Sequence, residues 1–185
     1  MSRIGKTKFT TKDIAIMGIL VAMSIVLTRL LSINTPTIRI GFGFIPIVIA
    51  GILYGAIPAG VVSVLADVLG QMLVAIGVPH PGITLNAFLT GFVFGIFLYN
   101  DSRYFKTIIA VAINQLIISL VIQTYWLYGL QHLSGFKAYL ALLISRIPQA
   151  CIVSIAQLIL IPLLFKLVDR IDRSLHIRKN PNKTI

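Results

Sequence analysis

The chain reads as six apolar runs set apart by short polar, glycine- or proline-bearing breaks. The runs cover about residues 13–32, 44–57, 59–78, 83–99, 107–129 and 137–168. A helix needs roughly 20 apolar residues to cross a bilayer, so the pattern predicts an all-α integral membrane protein with six transmembrane helices. The second run, Phe44 to Ile57, is short, and only Pro58 separates it from the third. It is therefore expected to be tilted, or held inside the bundle away from lipid. The sixth run is long and carries Pro148 and Pro162, which predicts kinks and an extension past the membrane. Its end is expected to be amphipathic, because Lys166, Asp169, Arg170, Asp172 and Arg173 alternate with Leu167, Val168 and Ile171. Lys6, Lys8 and Lys12 precede the first run as they would in a secretory signal. The run is longer than a signal's apolar core, and no small-x-small site leads into a soluble sequence, so it is read as a retained helix. The organisation is a basic tail over 1–12, a six-helix domain over 13–172 and a second basic tail over 173–185.

Composition supports lipid as the main solvent. Hydrophobic residues make up 57% and charged residues 11%, against about 25% charged in an ordinary soluble domain. Mean hydropathy is +0.96. These values exclude a soluble enzyme, a DNA-binding domain and a disordered chain. The net charge of +11 invites a nucleic-acid reading, but the placement of the charge opposes it. Arg3, Lys6, Lys8 and Lys12 lie in the N-terminal tail, and Arg103 and Lys106 lie between spans four and five. Lys166, Arg170, Arg173, Arg178, Lys179 and Lys183 lie at the C-terminal end. With six spans all of these fall on one side, and only Arg39 and Lys137 stand on the other. That bias marks the side holding both termini as cytoplasmic. No nucleic-acid partner is expected. The single Cys151 lies in an apolar run, so no disulfide framework or thiol metal site is expected.

Enzymatic chemistry is missing. There is no P-loop signature, no zinc-type His/Cys spacing and no H-E-x-x-H, and the five acids are all Asp. No nucleophile stands with a base. What the spans do contain is a set of polar residues: Arg29 in span one, Asp67 and Gln71 on one face of span three, and Asn86 in span four. Asn114, Gln115, Gln123, Tyr125 and Trp126 follow in span five, and Arg146 and Gln149 in span six. A charge at mid-bilayer costs at least ~3 kcal/mol, so such residues face a bundle interior or a cavity. Arg29, Gln71, Asn86, Gln123, Trp126 and Arg146 all map to the outer half, with Asp67 near the middle. Their convergence predicts an outward-facing pocket for a polar, partly aromatic small molecule.

Structural roles compete with this reading. Asp67, read as the only acid within the spans, is equally suited to an ion pair with Arg29 or Arg146. Asn114 and Gln115 suit interhelical hydrogen bonds, and for Asn114 that role is favoured over ligand contact. Tyr125, Trp126 and Tyr128 lie where an interfacial aromatic belt belongs. Arg39 is either a solvated charge or is carried over the pocket by the neighbouring Gly41 and Gly43. His80, between Pro79 and Pro81, is either a lid residue or exposed. The outer loops at about 33–43, 77–82 and 129–136 are rich in turn residues and are expected to close over a ligand. A stand-alone channel or secondary transporter would place polar residues through the full depth of the bundle. Here they thin out inward to Asn114, Ser154 and Gln157.

The stretch I-G-F-G-F-I-P-I-V-I-A-G-I-L-Y-G-A-I-P-A-G-V-V-S-V-L-A-D-V-L-G, from Ile40 to Gly70, resembles the substrate-binding S components of energy-coupling-factor vitamin transporters. So does P-G-I-T-L-N-A-F-L-T-G-F-V-F-G-I-F-L, from Pro81 to Leu98. Gly18-I-L-V-Ala22 matches the family's Ala-xxx-Ala motif with Gly in the first small position. The likeness covers about residues 8 to 170, and G-F-G-F-I-P with A-D-V-L-G looks most like the folate-specific members. Pantothenate- and riboflavin-specific members are the nearest rivals. The resemblance implies a multi-pass protein of the prokaryotic plasma membrane that binds a vitamin at its outer face. It implies no cofactor and no ATPase on this chain, ATP being used by partner subunits: one transmembrane scaffold and two ABC-type ATPases. It further implies that Ala15, Gly18 and Ala22 form the docking face, since small residues let a partner helix approach closely. For a folate, Asp67 with Gln71 would accept from the pterin edge. Arg29, Arg39 or Arg146 would take the glutamate carboxylates, and Trp126 and Tyr125 would stack on the rings.

Overall fold

A computed structural model describes residues 9–30, 32–34, 39–73, 80–99, 103–131 and 135–175. Most of both tails and parts of all three outer loops lie outside these residues, including Gly77 and Pro79. The elements are α1 (Thr11–Arg29), β1 (Ile33–Asn34), β2 (Arg39–Ile40), α2 (Phe44–Tyr54), α3 (Ala56–Leu73) and α4 (Pro81–Leu98). They continue with α5 (Tyr104–Ala112), a π-helix (Ile113–Ile122), α6 (Gln123–Leu130) and α7 (Phe136–Leu175). Among the described residues five rods are long and apolar enough to span a membrane, the run Tyr104–Leu130 counting as one of them, and Phe44–Tyr54 is the shorter sixth. The six-span architecture is as the apolar runs predict, and an even number of spans returns the chain to its starting side.

Local chemistry sets the helix ends. Thr10 caps α1 in a capping box with Asp13: the Thr10 backbone N–H donates to Asp13 Oδ2 at 3.0 Å, and the Asp13 N–H donates to Thr10 Oγ1. Asp13 is buried, so Asp67 is not the only acid held inside the bundle. Gly55 breaks α2 from α3 with a φ of +88°, a backbone region that costs glycine nothing and other residues energy. Pro81 occupies the first turn of α4, where its missing N–H is not needed.

Two elements depart from expectation. The first outer loop contains a two-residue antiparallel ladder, pairing Ile33 with Ile40 and Asn34 with Arg39. The other is α7, the expected long sixth run with Pro148 and Pro162 inside one 40-residue helix, which departs only in starting at Phe136 and ending at Leu175 rather than at 137 and 168. At 1.5 Å per residue it reaches about 60 Å, twice the ~30 Å hydrocarbon thickness, so it extends well past the membrane as anticipated.

Packing divides the bundle by depth. The inner half is sealed by Val48, Ile52, Phe94, Leu98, Ile161 and Val168 together with Val111 and Phe165. These come from the C-terminal ends of α2, α4 and α7 and from α5. Helices α3 and α4 approach most closely: a Cβ on Gly91 would meet the Ala59 carbonyl, and one on Gly95 would meet the backbone of Ala56. Small residues on both faces allow that approach where no water drives apolar surfaces together. Among the described helices α1 packs on α2 and α3, and its far face, with Ala15, Gly18 and Ala22, is exposed.

Candidate functional site

Helix α2 has 11 residues and spans about 16 Å, so its first residue Phe44 lies inside the bundle rather than at the outer surface. The loop before it therefore dips inward along α1. Ser24 Oγ donates to the Gly43 carbonyl at 3.3 Å. Thr28 and Ser32 return their hydroxyls to the carbonyls of Ser24 and Thr28, four residues back. Non-helical backbone is tolerated at this depth where it lines a cavity rather than lipid, and it does so here. A cavity of about 240 Å³ is lined by Gly41 and Gly43, by Thr28, Phe44, Ile47 and Thr90, by Asn114, Gln115, Ser119 and Gln123, and by Gln149 and Gln157 of α7. A second, of about 170 Å³, adjoins it and shares Ile47, Thr90, Ser119 and Gln123. Asp67, Asn86, Ile83, Ala87 and Ile118 complete its wall. Such a pair reaches the size range of small-molecule sites.

Among the described residues, the larger cavity is lined by no charged side chain. Its polar atoms are amides and hydroxyls, which donate and accept without a fixed charge. Gln115 Nε2 donates to Gln157 Oε1 at 3.1 Å, tying the π-helix to α7. Asn86 and Asn114 are buried, and their side-chain amides have no hydrogen-bond partner among the described residues.

The charged groups lie elsewhere. Arg29 Nη2 stands 3.6 Å from Asp67 Oδ1, with the side chains 2% and 13% exposed, and also donates to the Asp67 backbone carbonyl at 3.4 Å. Asp67 Oδ2 accepts from Thr84 Oγ1 at 3.0 Å. Asp67 therefore takes the ion pair with Arg29 that the sequence left as one of two roles, and its carboxylate is already engaged. Arg29 lines neither cavity, and Gly70 packs against its guanidinium. Arg146 is buried on α7, with no ion pair or hydrogen bond to a described residue, and shares a helical face with Gln149. Gln71 is half-buried and outside both linings.

At the outer end, His80 caps α4, its Nδ1 accepting from the Gly82 N–H at 3.1 Å. Its ring stands 5.3 Å from that of Trp126, and His80 is half-buried rather than fully exposed. Trp126 lies against Gly82 with its Nε1 buried. Tyr125 meets the indole edge-on at 5.5 Å but is 61% exposed. It faces outward, as the aromatic-belt role requires, and not into either cavity. Arg39 is placed by its backbone in β2, and its side chain lies outside the described residues. For Asn114 the favoured helix-to-helix role is not seen: its amide has no hydrogen-bond partner among the described residues. Thr28, Thr90 and Ser119 are wall residues that the sequence did not select, and Gln149 and Gln157, named there only as polar residues of span six, join them. Only a helical-face argument from Gln149 to Gln157 would have found the α7 pair.

Fold and site together define a small multi-span membrane protein that holds a solute inside its outer half and closes its inner half with an apolar core. Residues 8–166 match the family described as "ECF-type riboflavin transporter, S component". Among curated proteins, the folate transporter FolT of Clostridium novyi is 40% identical over 84% of this chain and 89% of its own length. FolT of Leuconostoc mesenteroides subsp. mesenteroides is 22% identical over 76% and 77%. A solved structure, described as FolT bound with folic acid, is 32% identical with a TM-score of 0.79 and covers 86% of this chain and 98% of that one. The chain belongs to the S components of ECF-type transporters. It is a multi-pass transport subunit of a prokaryotic cell membrane and not an enzyme.

Proposed function

We propose that this chain binds folate from the outer side of the membrane and delivers it inward by docking on a scaffold subunit driven by two ABC-type ATPases. The observation that carries the substrate is the 40% identity to a folate transporter over 84% of the chain. The likeness to a FolT structure holding folic acid supports it. The cavity chemistry agrees: among the described residues the larger cavity is walled by amides and hydroxyls beside Phe44 and Ile47, which suits a neutral heteroaromatic ring with several donors and acceptors, entering ahead of a charged tail. Asp67 lines the adjoining cavity while paired with Arg29 and Thr84, so acceptance from a pterin edge stands as a second role for its carboxylate beside the structural one. Docking is assigned to α1, where Ala15, Gly18 and Ala22 are exposed and a Cβ on Gly18 would meet nothing within 4 Å.

Riboflavin is the second reading, because the matching family is described by that vitamin. A neutral flavin ring would also suit the amide wall, so cavity chemistry alone does not separate the two. Calorimetric titration of the purified protein with folic acid, riboflavin, pantothenate and thiamin decides. Folic acid is expected to bind tightest, and tighter binding of any other vitamin refutes the folate assignment.

A further inference from the structure

We infer that Asn114 is a specificity-determining residue that reads the edge of the substrate's neutral ring. This rests on the folate reading above and names the part of the ligand that the larger cavity receives. Asn114 is 3% exposed, lines that cavity, and leaves both its amide oxygen and its amide nitrogen without a partner among the described residues. A buried amide with neither group satisfied is destabilising unless something completes it. Its neighbour Gln115 shows what a tie between helices looks like here, bonded to Gln157 at 3.1 Å. Asn114 makes no such tie.

The backbone explains how Asn114 faces inward. It lies in the π-helix Ile113–Ile122, where hydrogen bonds run from residue i to i+5. That winding aligns Asn114 with Ser119, five residues on, and Ser119 lines both cavities. In an α-helix Asn114 would share its face with Ile118, which is buried in the wall of the adjoining cavity, and with Ile117. Ile117 is exposed on the outside of the bundle. The π-helix thus keeps a polar wall turned inward beside an apolar outer face. π-Helical turns inside α-helices are frequent at functional sites.

The chemistry of the amide sets the ligand class. A side-chain amide offers a donor beside an acceptor, and it pairs bidentately with a heteroaromatic edge that presents an acceptor beside a donor. Pterins carry such edges. A carboxylate, being acceptor-only, does not match the amide, and among the described residues no cation lines this cavity to receive one. Asn114 is therefore assigned to the ring and not to the glutamate.

The test uses the full chain in lipid nanodiscs, titrated with folic acid, with pteroic acid (which lacks the glutamate) and with p-aminobenzoylglutamate (which lacks the pterin). In Asn114→Leu, similar in volume but unable to hydrogen-bond, folic acid and pteroic acid are expected to bind about tenfold to a hundredfold more weakly. Binding of p-aminobenzoylglutamate is expected to be unchanged. The ligand-free melting temperature should hold or rise, since an unsatisfied amide is removed; a purely structural Asn114 would instead lower it. Asn114→Ser provides a smaller change should Leu impair folding, and it should weaken the same two ligands. Wild-type affinity for folic acid in both variants would overturn this inference and leave the folate reading standing. Failure of the wild-type protein to bind folic acid would overturn both.

Discussion

Replacing Asp67 by Leu asks whether this carboxylate serves the fold or the ligand. The Arg29 side chain is 2% exposed and its Nη2 stands 3.6 Å from Asp67 Oδ1. Its Nη1 already lacks a partner among the described residues. After the substitution, the backbone carbonyl of residue 67, 3.4 Å away, is the remaining acceptor. Breaking one side of a buried ion pair typically costs about 3–5 kcal/mol, because the other charge stays buried and uncompensated. For a chain of 150–250 residues each kcal/mol corresponds to about 2–4 °C in melting temperature. Asp67→Leu should therefore melt about 6–20 °C lower. The double variant Arg29→Met/Asp67→Leu should recover most of that loss, since an apolar pair of similar volume replaces the ions. The assay is thermal unfolding of the purified protein in detergent, with folic acid titrated at a temperature where each variant is folded. A single variant that melts within about 2 °C of wild type, yet no longer binds folic acid, would refute the structural role and return Asp67 to the ligand.

Three further outcomes follow from contacts already described. Gly18→Trp and Ala22→Trp lie on the exposed face of α1, so ligand binding by the isolated protein should persist while co-purification with the scaffold subunit is lost; loss of both would mean that this face packs within the chain's own bundle. Gly95→Leu drives a side chain into the backbone of Ala56, where no rotamer change gives relief, and the overpacking should cost about 1–3 kcal/mol or more, read as a lower melting temperature; an unchanged value would contradict the close α3–α4 approach. Gly82→Val places a branched side chain against the indole of Trp126, the single tryptophan of the chain, so the emission maximum should shift toward that of exposed indole; an unaltered spectrum would place Trp126 elsewhere.

The span count and orientation were legible because they depend on bulk properties: run length and the distribution of Lys and Arg. The short second span was visible too, but its break was expected at Pro58, which lies in the first turn of α3, whereas the chain turns at Gly55. The reason α2 is short became clear only from packing, because Ser24 and Thr28 hold the Gly41–Gly43 backbone inside the bundle. Polar side chains inside the spans were found as a class, but their partners were not. Asp67 was equally suited on paper to Arg29 and Arg146, and three-dimensional proximity chose Arg29. Tyr125 and Trp126 are adjacent in sequence, yet one faces outward and the other lies against Gly82. The π-helix left no trace that periodicity detects. A helix-to-helix role for Asn114 follows from residue type and depth in span five, and neither shows which groups its amide meets. The α7 wall residues Gln149 and Gln157 were overshadowed by the charge of Arg146, which draws attention in a sequence but lines neither cavity.

The central claim is that this chain captures folate outside the membrane and releases it inside only in partnership with an ATP-driven module. Uptake of radiolabelled folic acid into sealed vesicles tests it most directly, with the chain co-reconstituted beside its scaffold and two ATPase subunits. Uptake should require ATP and all of the subunits together, and unlabelled folic acid should compete while riboflavin does not. Accumulation of folate by vesicles containing this chain alone, or a full complex that takes up riboflavin and ignores folate, would contradict the account.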